Sequence, residues 1–272
     1  MGSALPTLPG LASHSSVPNP LRDRASAITV VVAFSAPRSW GCKMETTPGT
    51  QPEGRDRDRV APIAGIVFAV LFVAGWLVGL DTPAYNAGDQ AWTEWFEDAG
   101  NRGQHIFSAF ALTVGALAFV VFLWGLIRRL RRFSTEPDGP TLLVMGAGFL
   151  VAAMTILAGV TIAAASAAIE FAPNDFPVPS ADVLRMIEQL GVGIGLVGGG
   201  LSAALFVASS SWGARGTGAL PGWLVVAGYV VAVLLLGSVT FIALVLLPLW
   251  VLVVSIVMLS SRSRSQGRAA PA

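Results

Sequence analysis

Residues 141–169 run for twenty-nine positions without a charged side chain. A helix of that composition has no polar face for water, whereas about 20 apolar residues cross the roughly 30 Å hydrocarbon of a bilayer. Residues 61–80, 106–127, 190–210 and 220–259 have the same character. As one helix the last would reach about 60 Å at 1.5 Å per residue, twice the hydrocarbon thickness, so it must break, and Gly237-Ser238 is the natural place. The sequence therefore predicts an all-α polytopic membrane bundle with six transmembrane helices, at about 61–80, 106–127, 141–169, 190–210, 220–237 and 239–259.

Arginines give the orientation. Arg128, Arg129, Arg131 and Arg132 close the second run, and basic residues beside a short loop are retained in the cytoplasm. Span two therefore runs inward. Of the thirteen arginines from Arg55 onward, eleven fall on predicted inner segments and only Arg102 and Arg185 fall outside. Both termini are expected in the cytoplasm, and residues 261–272 form a basic cytoplasmic tail. The expected location is the inner or plasma membrane of a bacterium, since small residues with GC-rich codons, alanine, glycine and valine, are abundant and sixteen arginines stand against one lysine, Lys43.

Only 12% of the 272 residues are charged, against about 25% in soluble domains. A net charge of +1 with arginines spread over several flanks argues against nucleic acid as a partner. Cys42, the single cysteine, excludes an intrachain disulfide or a cysteine-rich metal cage.

Residues 1–59 mix Pro, Ser, Gly and Arg without period and are expected to be a disordered leader. Two readings compete for its start. Arg22 and Arg24, the apolar run 28–34 and Trp40-Gly41-Cys42 have the outline of a lipoprotein signal, interrupted by Pro37 and Arg38. Alternatively translation starts at Met44, with a short polar leader before span one and residues 1–43 untranslated; this is the preferred reading.

Between spans one and two, Ala91, Trp92, Trp95, Phe96 and Ala99 recur at helical spacing opposite Gln90, Glu94, Glu97 and Asp98. A short amphipathic outer helix over 90–99 is expected, with Asp89 as N-cap, Gly100 as a left-handed stop and an Asp98–Arg102 surface pair. Ser180 is expected to cap the helix leading into span four.

No Asp, Glu, Lys, Arg or His occurs at membrane depth in the six predicted spans. His105, Glu170 and Glu188 are the nearest polar candidates. His105 reads as a capping or interfacial histidine, or as part of a weak cation site with Glu94 or Asp98; a lone histidine carries little evidence for a metal. Glu170 and Glu188 read as interfacial charges in water, or as a gating or proton-binding pair. Thr155, Thr161 and Ser166 are expected to bond to carbonyls of the preceding turn. The sequence offers no catalytic constellation, cofactor motif or metal motif, and no enzyme is predicted.

Glycine forms the strongest pattern inside the spans. Gly191, Gly195 and Gly199 on span four, and Gly159, Ala163 and Ala167 on span three, make small-residue stripes at i+4 spacing, the pattern of close helix packing, and spans three and four are expected to pack on each other along them. Gly198-Gly-Gly200 could instead mark a hinge or a point of unwinding.

Trp92 through Asn101-Arg102, Phe122-Leu-Trp124 running into Arg128-Arg-Leu-Arg-Arg132, Leu220-Pro-Gly-Trp223 and Pro248-Leu-Trp250 resemble a mainly actinobacterial class of six-span membrane proteins of unknown function. The resemblance covers about residues 60–260 and implies no activity. The expected role is a non-enzymatic component embedded in the lipid bilayer that binds a membrane-protein partner, a second copy of itself or lipid. The alternative is a small carrier for an uncharged or hydrophobic solute, without proton coupling.

Overall fold

The apolar runs form helices because backbone polar groups buried in an apolar setting must be satisfied within their own segment. A computed structural model describes residues 53–133, 139–172, 177–237 and 245–267, with side chains from Arg59 to Ser260 within those stretches. All lie in the unit Thr50–Ala272. The leader before Glu53, with both readings of its start, and Ser238 of the predicted break lie outside the described residues.

The elements are α1 (Glu53–Gly79), α2 (Asp89–Glu97), α3 (Ala99–Phe133), α4 (Gly139–Phe171), α5 (Ala181–Gly193), a π-helical segment (Ile194–Gly199), α6 (Gly200–Ala214), α7 (Gly222–Leu236) and α8 (Leu246–Gly267). No strand occurs among the described residues. Four helices are long and apolar enough to cross a membrane: Arg59–Gly79, Ala99–Phe133, Gly139–Phe171 and the continuous Ala181–Ala214. Helix α7 has 15 residues, about 22 Å, short of the roughly 30 Å hydrocarbon.

Helices extend beyond the predicted spans. Helix α1 begins at Glu53, inside the segment expected to be a leader, where Glu and Arg are strong helix formers. Helix α3 takes in Gly100, which is therefore not a left-handed stop. Asp98 makes the break instead: its backbone is extended, and its Oδ1 accepts the Asn101 N–H at 3.0 Å. An aspartate bonded to the third N–H of the following helix is an N-cap, so Asp98 starts α3 where it was expected to pair with Arg102. Gly88 occupies the N-cap position of α2, and Asp89 is its first helical residue. Ser180 stands at the N-cap of α5, but its hydroxyl makes no capping bond.

Consecutive long helices pack side by side, α1 on α3, α3 on α4, α4 on α6, α6 on α7 and α7 on α8, and α8 closes the ring on α1. Aromatic rings fill the centre. Phe68 lies 4.8 Å from Phe119 by ring centroid, Phe119 lies 5.1 Å from Phe206, and Phe206 lies 5.7 Å from Trp250. The chain of rings thus crosses α1, α3, α6 and α8 in edge-on and tilted contacts, the geometry aromatic quadrupoles favour.

Candidate functional site

Polar groups gather where α2 caps the ends of α3, α4 and α5. Trp92 and Phe96 point inward from α2 and pack with Ala165, Ala181 and Leu184 in a small core of their own. Two arginines hold the cap, one near each end. Arg102 of α3 donates through Nη1 to the carbonyls of Phe96 (2.8 Å) and Glu97 (2.7 Å), and through Nε to Glu170 Oε2 at 3.0 Å. Carbonyls at a helix end have no helical partner, and a cation there complements the helix dipole, so the C-terminus of α2 draws Arg102 away from Asp98. Arg185 of α5 reaches Asp89 Oδ1 at 2.8 Å, Asp182 Oδ1 at 3.2 Å and the Ala87 carbonyl at 2.7 Å. Its guanidinium also lies 5.8 Å from the centre of the Trp92 ring, within cation–π range.

Under this cap His105 is fully buried, its Nδ1 3.3 Å from Ser166 Oγ, with its ring in a tilted contact with Trp95 at 4.6 Å and an edge-on contact with Phe96 at 5.8 Å. The ring is sealed from solvent and lies beside the backbone of Gly79, the last residue of α1. Hydrophobic closure by Trp95 and Phe96 takes it out of water, and Ser166 bonds to it where a carbonyl of the preceding turn was expected. Thr155 and Thr161 do bond such carbonyls, those of Val151 at 2.8 Å and Leu157 at 2.7 Å. The group of three or more His, Cys, Asp or Glu that a metal ion would need does not occur among the described residues.

Glu170 and Glu188 do not pair. Glu170 is taken by Arg102. Glu188 is 3% exposed, and neither carboxyl oxygen has a hydrogen-bond partner. Reading it as a charge in water is therefore corrected: Leu184 and Gly191, one turn to either side on α5, are also buried and carry Glu188 inward with them. Buried polar groups are nearly always partnered, so among the described residues this carboxyl, with both oxygens unpartnered, stands out.

The small-residue stripes divide between several neighbours. A Cβ on Gly191 would stand 2.9 Å from the Ile162 backbone nitrogen, so α5 lies directly on α4 there. A Cβ on Gly195 would strike the Trp76 ring of α1, and one on Gly159 would stand 3.1 Å from Leu112 Cβ of α3. Ala163 is buried and Ala167 half-buried. Glycine-rich chain has weak α preference, and at Ile194–Gly199 it widens into the π-helix without unwinding. Gly195 and Gly199 border a void of about 10 Å³ with Phe72, Trp76, Val151, Thr155 and Leu247, at the lower limit for one water.

At the opposite end, Arg129 Nε donates to the Ala219 carbonyl at 2.7 Å, joining α3 to the connection before α7. Arg128, Arg131 and Arg132 are exposed. No known protein family, curated protein or solved structure matches this chain.

Proposed function

We propose that the chain is a six-span, non-enzymatic component of a bacterial cell membrane, with both termini in the cytoplasm, that acts by binding a membrane partner or lipid at its surface. The aromatic chain from Phe68 through Phe119 and Phe206 to Trp250 carries this reading, because it fills the space a solute path between the helices would need. The void of about 10 Å³ is too small for any solute larger than water. In this reading α7 and α8 are the fifth and sixth spans, α7 with its short length matched by local thinning of the bilayer. Purification in mild detergent is expected to bring down a stoichiometric protein or a defined lipid. Recovery of the chain alone, with neither, would remove the support for the reading.

One observation favours a carrier instead. A π-helical turn inside a long helix is frequent at functional sites, and the one at Ile194–Gly199 borders the void. Solute-dependent swelling of liposomes containing the protein would promote that second reading.

A further inference from the structure

Resting on the reading that this bundle acts through what binds its surface, we propose that the groove beside the first turns of α7 holds an anionic phospholipid. Its phosphate meets Arg215, and one acyl chain lies along α7. The groove has a volume of about 620 Å³ and is lined by Arg215, Leu220, Val225, Val226 and Tyr229 together with glycines of the connection, a size typical of ligand clefts.

Charge complementarity selects the headgroup. Arg215 is exposed, and its guanidinium has no partner among the described residues. None of the lining residues is acidic, so the groove presents one uncompensated cation. A guanidinium fork matches the oxygens of a phosphate two at a time. Gly216 and Gly218, at φ of 73° and 75°, hold left-handed turns beside Arg215 that suit glycine, and neither puts a side chain over the groove.

Continuity with an apolar stripe selects a lipid over a free anion. Val226, Val230 and Val233 are 64, 55 and 67% exposed and recur at i, i+4 and i+7, so the stripe starts inside the groove and runs up α7. Trp223 and Tyr229, 60 and 36% exposed, stand in the first two turns of α7, the side chains favoured at headgroup depth. Soluble phosphate would use only the arginine; a phospholipid uses the arginine, the aromatic level and the stripe together. Arg128 is also exposed and without a partner among the described residues, but it does not line this groove. It is the internal control for diffuse attraction.

The test places the full chain in nanodiscs of phosphatidylglycerol and phosphatidylcholine in equal parts, releases it into mild detergent and counts retained lipids by native mass spectrometry. The chain should retain phosphatidylglycerol over phosphatidylcholine. Arg215→Gln should reduce that retention several-fold, Arg215→Lys should restore part of it, and Val226→Trp, which fills the groove and leaves the charge in place, should reduce it too. Arg128→Gln should leave it unchanged, and added inorganic phosphate should not displace the lipid. The site is overturned by equal loss in Arg128→Gln, by full retention in Arg215→Gln, or by displacement with phosphate. If Arg215→Gln retains lipid normally while a partner still co-purifies, this site fails and the surface-binding reading stands; if the unmodified chain retains neither lipid nor partner, both fail.

Discussion

The Arg102 guanidinium of α3 donates to the Glu97 carbonyl at 2.7 Å, closing the last turn of α2 from the neighbouring helix. The same Nη1 also meets the Phe96 carbonyl. The Arg102–Glu170 pair is partly exposed, with the glutamate 41% accessible, and exposed pairs contribute only about 0 to 1 kcal/mol. Carbonyls at a closed helix end that lose a charged donor cost more, about 1.5 to 3 kcal/mol. Arg102→Leu should therefore lower thermal stability in detergent clearly more than Glu170→Gln does. Equal losses would mean that the ion pair, and not the carbonyl cap, holds α2 down.

A second relationship carries a sharper test. The Trp76 indole occupies the space where a Gly195 side chain would project, and its ring cannot fold away as a flexible chain could. Gly195→Leu should cost about 1 to 3 kcal/mol, the usual range for overpacking. Trp76→Ala in the same chain should recover part of that loss, because the two residues share one space. Gly193 has nothing within 4 Å of its missing Cβ, so Gly193→Ala should be neutral or stabilise by up to about 1 kcal/mol. Additive losses for Trp76 and Gly195 in a double-mutant cycle would refute the contact.

These two cases mark what the sequence could and could not disclose. Helices were legible because an uncharged run of twenty or more residues permits little else, and the small-residue stripes announced close approach. The expectation that the stripes meet each other holds at Gly191, which lies on Ile162 of α4, but Gly159 turns to Leu112 of α3 and Gly195 to Trp76 of α1. The amphipathic pattern of α2 was legible, but its caps were not. Arg102 at i+4 from Asp98 looked like a local pair, and only the fold brings Glu170 to it from 68 residues away. Glu188 was misjudged for a related reason: a carboxylate one turn from an apolar run reads as solvated unless a separate element covers it.

The distribution of arginines predicts an orientation in the bilayer. Reporter fusions after Arg132, Arg215 and Arg268 should report the cytoplasm, and fusions near Asp89 and Asp175 should report the outside. The fusion after Arg268 is decisive, because an even number of spans returns the C-terminus to the side of the N-terminus. A periplasmic signal there would mean that α7 or α8 does not cross, and the 15-residue α7 would be the first suspect.

Glu188 supports two linked predictions. Its carboxyl is buried without a hydrogen-bond partner, and an unsatisfied buried polar group costs about 1 to 3 kcal/mol. If the residue is only structural, Glu188→Leu should raise thermal stability by an amount in that range, since leucine is of comparable size and leaves nothing unpaired. A proton carrier needs more than one such group: its site must be reached alternately from both faces, and relays within spans use chains of Asp, Glu or His. In the described part of the helix containing Glu188, residues 189–214, there is no Asp, Glu, Lys, Arg or His, and there is none in 106–127, 140–169, 222–236 or 246–260. Liposomes containing the protein should therefore show no proton flux above empty vesicles under an imposed pH gradient, with or without an uncharged solute. Flux that vanishes in Glu188→Gln, together with a loss of stability in Glu188→Leu, would make this carboxyl a working proton site and move the protein from a surface-binding component to a carrier.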